Sequence, residues 1–230
     1  MHSLSSRPGG WTSAAAAALL VLLAGGGVAT AAGAARYPGG SWVDPGAPGH
    51  SLWANFLCDI ARDMAVNGRH NPGAPWGRAA EWAFVGALCL FWWTAPEIAA
   101  PRGLGRPVRV LGTLATLGLV LVPVTSGVPH TLALVAGAGP GFVATLPLVR
   151  GLRHRPGLAL LGTLALLLAA LEFGLYLAFR EGPPPLAVPA LQRIALLAAV
   201  TWMAACAVAV LRGQGVDAAA LSSTGSPRAT

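Results

Sequence analysis

Lysine is absent from this 230-residue chain, and aspartate and glutamate together number only eight. Charged residues make up 10% of it, where a soluble domain carries about 25%. That scarcity excludes the charged, solvated surface of an ordinary globular protein. Three cysteines, with no C-x-x-C spacing, exclude a disulfide framework, a dithiol redox motif and a zinc knuckle. Cys89 and Cys206 fall inside apolar runs and read as small buried hydrophobes, which leaves Cys58 in a polar segment. With acids so few, the net charge is +7 and the isoelectric point about 11.0. The arginines sit beside apolar runs and not along one polar face, so no nucleic-acid partner is expected.

What the chain has in abundance is apolar sequence: 55% hydrophobic residues and a mean hydropathy of +0.63. Six runs stand out, at 11–35, 79–98, 108–128, 131–149, 157–179 and 189–211. About 20 residues of helix cross a bilayer core, so these lengths predict an all-α fold, a six-transmembrane-helix bundle. Residues 1–212 form one membrane domain in this reading, and the Ser/Ala/Gly-rich stretch 213–230 a disordered cytoplasmic tail. The first run fits two descriptions. Arg7, an apolar core and the small-residue pattern ATAAGAA suit a cleaved signal peptide, and the same run is long enough to span. The retained span is the reading carried forward.

The long polar stretch is 36–78, predicted to be a loop on the outer side of the membrane. Proline and glycine in Tyr37-Pro38-Gly39-Gly40 and Asp44-Pro45-Gly46 dictate turns. From Ser51 the pattern changes. Leu52, Trp53, Phe56, Leu57, Ile60 and Met64 recur at three- and four-residue steps, opposite Asn55, Asp59, Arg62 and Asp63. That periodicity predicts a short amphipathic helix over 51–66, with Ser51 at its N-cap and its apolar side on the membrane or bundle. Orientation follows from arginine. With the N-terminus inside, nine of the fifteen arginines are cytoplasmic, and both interior links, 101–109 and 150–155, are purely basic. Short basic loops stay inside, so both termini are expected in the cytoplasm of a cell-membrane protein.

The loop motifs resemble a known group. Tyr37-Pro38-Gly39-Gly40, the run from Pro48 to Asp59, Asn67-Gly68 and Asn71-Pro72 are similar to the pattern of the prokaryotic multi-pass family of unknown function 998. That family is similar in layout to the Frag/DRAM/Sfk membrane proteins. Trp53 and Cys58 stand where its pattern has phenylalanine and serine. The resemblance covers about forty residues. It implies a six-helix membrane protein that keeps its first helix, and it implies no activity.

Candidate functional residues are few. Asn55, Asp59 and Arg62 share one side of the predicted loop helix, either pinning the loop to itself or binding a lipid headgroup or small ligand. Glu172 lies inside the fifth run, where a carboxylate costs about 2.5–3.5 kcal/mol on insertion scales and marks a site. His130 in the third-to-fourth turn, or Arg62, is its expected partner, in preference to Arg180. The ligand-binding set is therefore Asn55, Asp59, Arg62, His130 and Glu172. No metal or cofactor is expected, because His50, His70 and His130 lack metal-ligand spacing. No catalytic residue is assigned. The reading is a binding, sensing or scaffold protein in contact with the lipid bilayer, with lipid as the candidate ligand. The alternative is a lipid-modifying hydrolase using those histidines with Asp59 or Glu172. Oligomeric state is not legible.

Overall fold

A computed structural model describes residues 10–179 and 185–213. Six long helices account for most of them: α1 (Gly10–Ala34), α2 (Ala74–Thr94), α3 (Gly105–Leu119), α4 (Gly127–Gly151), α5 (Pro156–Ala178) and α6 (Ala187–Leu211). Short 3-10 segments at Leu57–Ala61, Ala95–Ile98, Arg102–Leu104 and Val122–Val124 join them. The described chain is all-helical apart from one isolated bridge between Met64 and His70. Arg7, Arg180 and the predicted tail from Gln214 onward lie outside the described residues.

The helices pair in chain order, α1 on α2, α3 on α4 and α5 on α6, and α6 returns to α1. Five stretches are long and apolar enough to cross a membrane: α1, α3 with its 3-10 extension, α4, α5 and α6. Helix α2 has the length but carries Arg78, Glu81 and four tryptophans, which lower its apolar character. Large apolar side chains stand exposed along the helices, among them Val21, Leu117, Leu146, Leu160, Leu167 and Leu197. In water such a surface would be an aggregation liability; against acyl chains it is the expected exterior. Helix α5 buries only Gly162 and Ala165 and is the most lipid-facing of the set.

The core lies toward the end opposite the 35–73 connection. Phe91 packs edge-on against Trp92 and Trp202, each with ring centroids 5.0 Å away, among Leu19, Leu148, Leu152 and Met203. Helices α3 and α4 touch closely because Gly118 faces Gly137: a Cβ on Gly118 would lie 2.5 Å from the Ala136 carbonyl carbon and the Gly137 nitrogen.

One predicted element is overturned. Residues 51–66 are not an amphipathic α-helix but turns around the single 3-10 segment Leu57–Ala61. The burial also departs from the periodic pattern, although Phe56 and Ile60 are buried and Arg62 and Asp63 exposed as the pattern expects. Asn55 and Asp59 are 0% and 2% exposed, while Leu52 and Trp53 are 57% and 50% exposed. Short polar side chains explain it. The Asn55 Oδ1 accepts from the Ser51 amide at 2.9 Å and the Asp59 Oδ2 from the Phe56 amide at 2.9 Å. Side chains that bond local backbone in this way compete with the helical ladder.

Candidate functional site

The 35–73 connection is a folded cap. Its entry needs glycine, since Gly39 and Gly40 take φ of 121° and 84°, values that strain any other residue. The Gly40 amide donates to the Ala47 carbonyl at 2.8 Å, and the Gly40 carbonyl accepts from Asn55 Nδ2 at 2.9 Å. Further along, Asn67 Nδ2 donates to the Pro38 carbonyl at 3.1 Å, and the Val66 amide donates to the Tyr37 hydroxyl at 2.9 Å. Asn71 fastens the exit. Its Nδ2 donates to the carbonyls of Ile60 and Arg62, and its Oδ1 receives the Gly73 amide, each at 2.9 Å. Helix α2 starts immediately after, with Pro75 in its first turn, where the missing amide costs nothing.

Asp59 is the hub of the cap. Both its oxygens receive the Trp42 indole N–H at 3.1 Å, and Oδ2 also receives Asn55 Nδ2 at 3.2 Å and the Phe56 amide. Arg62 lies 4.0 Å from Oδ1, with its guanidinium 5.5 Å from the Trp42 ring centroid and its side chain 45% exposed. Burial pushes the Asp59 carboxyl up from its usual range, and the donors from Asn55, Trp42 and Phe56, with the Arg62 charge, pull it back. His50 sits edge-on against Tyr37, ring centroids 5.5 Å apart. Burial first, then the Arg193 charge, lower it to about 4, so it stays a neutral packing group. Burial also pushes the Cys58 thiol up, which makes it a poor nucleophile.

Arg193, near the start of α6, reaches into this cap although it is only 5% exposed. Its Nε donates to the Leu52 carbonyl at 3.1 Å and a terminal nitrogen to the Asn55 carbonyl at 2.7 Å. Its neighbour Gln192 accepts the Leu57 amide at 2.8 Å. Two adjacent α6 residues thus bind the cap to the bundle.

Beside the cap opens a cleft of about 730 Å³. One wall is charged: Arg62 and Asp63 from the cap, Arg78 and Glu81 from α2. Arg78 donates to Asp63 at 2.6 Å. Glu81 differs, since its Oε2 is buried and has no hydrogen-bond partner. The facing wall is apolar, with Val122, Val124, Val128 and Leu132 from the α3–α4 turn and Phe179 from the end of α5. Between the walls Tyr176 stands 3.3 Å from the Thr131 hydroxyl and edge-on to Phe56, and His130 Nδ1 is 3.2 Å from the Val122 carbonyl.

Of the predicted set, Asp59, Arg62 and His130 line this cleft, while Asn55 lies sealed within the cap beneath them. Glu172 stands outside the lining, half-buried on α5, with Gln192 as its hydrogen-bonding neighbour where His130 or Arg62 was expected. Gln192, which also accepts the Leu57 amide, thus lies between Glu172 and the cap. His50 is packed in the cap and His70 is exposed beyond it. Among the described residues no group of three His, Cys, Asp or Glu side chains could hold a metal ion. Sequence reasoning missed Glu81, Trp42 and Arg193. Glu81 is the third residue of the 79–98 run, a place from which a charge can reach water, and only the helix start at Ala74 puts it two turns inside α2. No family model matches the chain, and no curated protein or solved structure matches it.

Proposed function

We propose that the chain is a six-span integral membrane protein of the cell membrane, both termini cytoplasmic, whose external cap and bundle together bind a membrane amphiphile. Five stretches apolar enough to cross support the membrane setting, and α2, flanked by α1 and α3, is the sixth span in this reading. The likeness of the cap motifs to the family of unknown function 998 belongs to the same proposal and brings no activity with it.

The observation that carries the reading is the cleft itself. Its volume suits a headgroup with the first carbons of its chains. Its two walls differ in kind, charged on the cap side and apolar on the side of the α3–α4 turn. A wholly polar solute would leave the apolar wall unsatisfied, and a wholly apolar one would strand Arg62 and Glu81.

Filling the cleft tests this. Val128→Trp places a large ring in the apolar wall, and Leu160→Trp adds the same bulk on the exposed face of α5 as control. Native mass spectrometry of the purified variants should show phospholipid retention reduced about tenfold for Val128→Trp, a loss of about 1.4 kcal/mol, and unchanged for Leu160→Trp. Equal retention by both variants would overturn the binding reading.

A further inference from the structure

Three carboxylates and two guanidiniums line the cleft. Asp59 has Arg62 4.0 Å away, and Asp63 holds Arg78 at 2.6 Å. Glu81 is the carboxylate left over, and it is the one whose buried Oε2 lacks a partner. A buried acceptor without a donor is unfavourable, which makes Glu81 the group in the cleft best placed to receive one. Arg62 is the complementary group. Its distance to Asp59 is too long for a hydrogen bond, and its planar fork carries five donors suited to phosphate oxygens. Of the other titratable groups lining the cleft, His130 has Nδ1 engaged with the Val122 carbonyl, Tyr176 stands 3.3 Å from the Thr131 hydroxyl, and burial keeps the Cys58 thiol neutral.

Resting on the amphiphile reading above, we propose that the cleft selects an aminophospholipid, with its phosphate at Arg62, its primary ammonium at Glu81 and its chains along Val122, Val128 and Leu132. Each lining group then has a counterpart. A choline headgroup carries positive charge but no N–H to donate to Glu81 Oε2. A glycerol headgroup brings hydroxyls but leaves the negative charge of its phosphate uncompensated in a cleft that already holds one carboxylate in excess. A soluble amine would satisfy Glu81 and leave the apolar wall bare. Arg78, committed to Asp63, has no role in the headgroup contact.

The test is a competition. Purified full-length protein is incubated with an equimolar mixture of phosphatidylethanolamine, phosphatidylcholine and phosphatidylglycerol of identical chains, and retained lipid is counted by native mass spectrometry. The wild type should retain the ethanolamine lipid about tenfold over the others, within what one charge-assisted hydrogen bond supplies. Glu81→Gln should bring it down to the choline level without lowering choline retention, and Arg62→Ala should lower all three. Equal retention of the three lipids, or preference for the glycerol or choline headgroup, overturns the headgroup assignment and leaves the amphiphile reading standing. Retention of none removes both. The wild-type ranking decides the matter even if Glu81→Gln fails to fold.

Discussion

Arg193 joins parts of the chain about 140 residues apart, since its carbonyl partners Leu52 and Asn55 precede it by 141 and 138 positions. A guanidinium this buried is stable only when its donors are spent, and a charge-assisted hydrogen bond is worth about 1.5–3 kcal/mol. Arg193→Ala should therefore free the cap from α6 while the helices persist. Limited proteolysis should cut within 35–73 at least tenfold faster, on the scale of one such bond, and Arg193→Lys should not restore resistance, because one ammonium cannot reproduce the fork. An unchanged cleavage rate would mean that the cap is held without it. None of this was legible in the sequence, where Arg193 was one external arginine among six that the orientation had to tolerate. Asn55, Asp59 and Arg62 were recognised as a cluster because their spacing is local. The direction they face was not, because a contact with residue 193 leaves no trace in the spacing of residues 55–62.

Among the elements, the long apolar runs were readable and the cap was not. A run of about 20 apolar residues has few alternatives to a helix in lipid, since every backbone group must be satisfied within the segment. The cap has no such constraint. Its three- and four-residue steps suggested a helix with an apolar inner face, yet Asn55, Asp59 and Asn71 supply donors and acceptors to the backbone and are buried beside Phe56 and Ile60. Helix α2 also begins at Ala74, earlier than predicted, because Pro75 starts a helix as readily as it ends a loop. Small residues in the fourth run permit close approach selectively. Gly137 meets Leu119 and Ala115 of the α3 side, while Gly139 meets nothing within 4 Å. Gly118→Leu should accordingly force α3 from α4 and lower thermal stability, overpacking costing about 1–3 kcal/mol. Gly139→Leu should lower it by no more than a few tenths. A thermal melt in detergent distinguishes them, and comparable losses would mean that the α3–α4 contact is not the tight one.

At the scale of the whole molecule, charge is distributed unevenly between the two ends. At the cap end the described residues include Arg36, Arg62, Arg69, Arg78 and Arg193, matched in number by Asp44, Asp59, Asp63, Glu81 and Glu172. Three of these arginines are committed: Arg36 to the Ala32 carbonyl and the Trp76 ring, Arg78 to Asp63, and Arg193 to the cap backbone. At the opposite end the described residues include Arg102, Arg106, Arg109, Arg150, Arg153, Arg155 and Arg212 and, among the acids, Glu97 alone, which pairs with Arg109. Links of this kind are short, and the Ala100 amide ties one to the other through the Gly151 carbonyl at 2.8 Å. Basic residues in short links near span ends are retained in the cytoplasm, and the proposed orientation, with the cap outside, rests on that rule. Cysteines introduced singly at Gly46 and Gly103, in a background with Cys58, Cys89 and Cys206 replaced, test this with a membrane-impermeant maleimide on intact cells. Gly46 lies on the exposed rim of the cap, and a Cβ at Gly103 meets nothing within 4 Å, so neither site is sterically shielded. Labelling is expected at Gly46 without permeabilisation and at Gly103 only after it. The opposite pattern would place the basic end outside, put the cleft in the cytoplasm, and require the cap to meet the ligand from the inner leaflet.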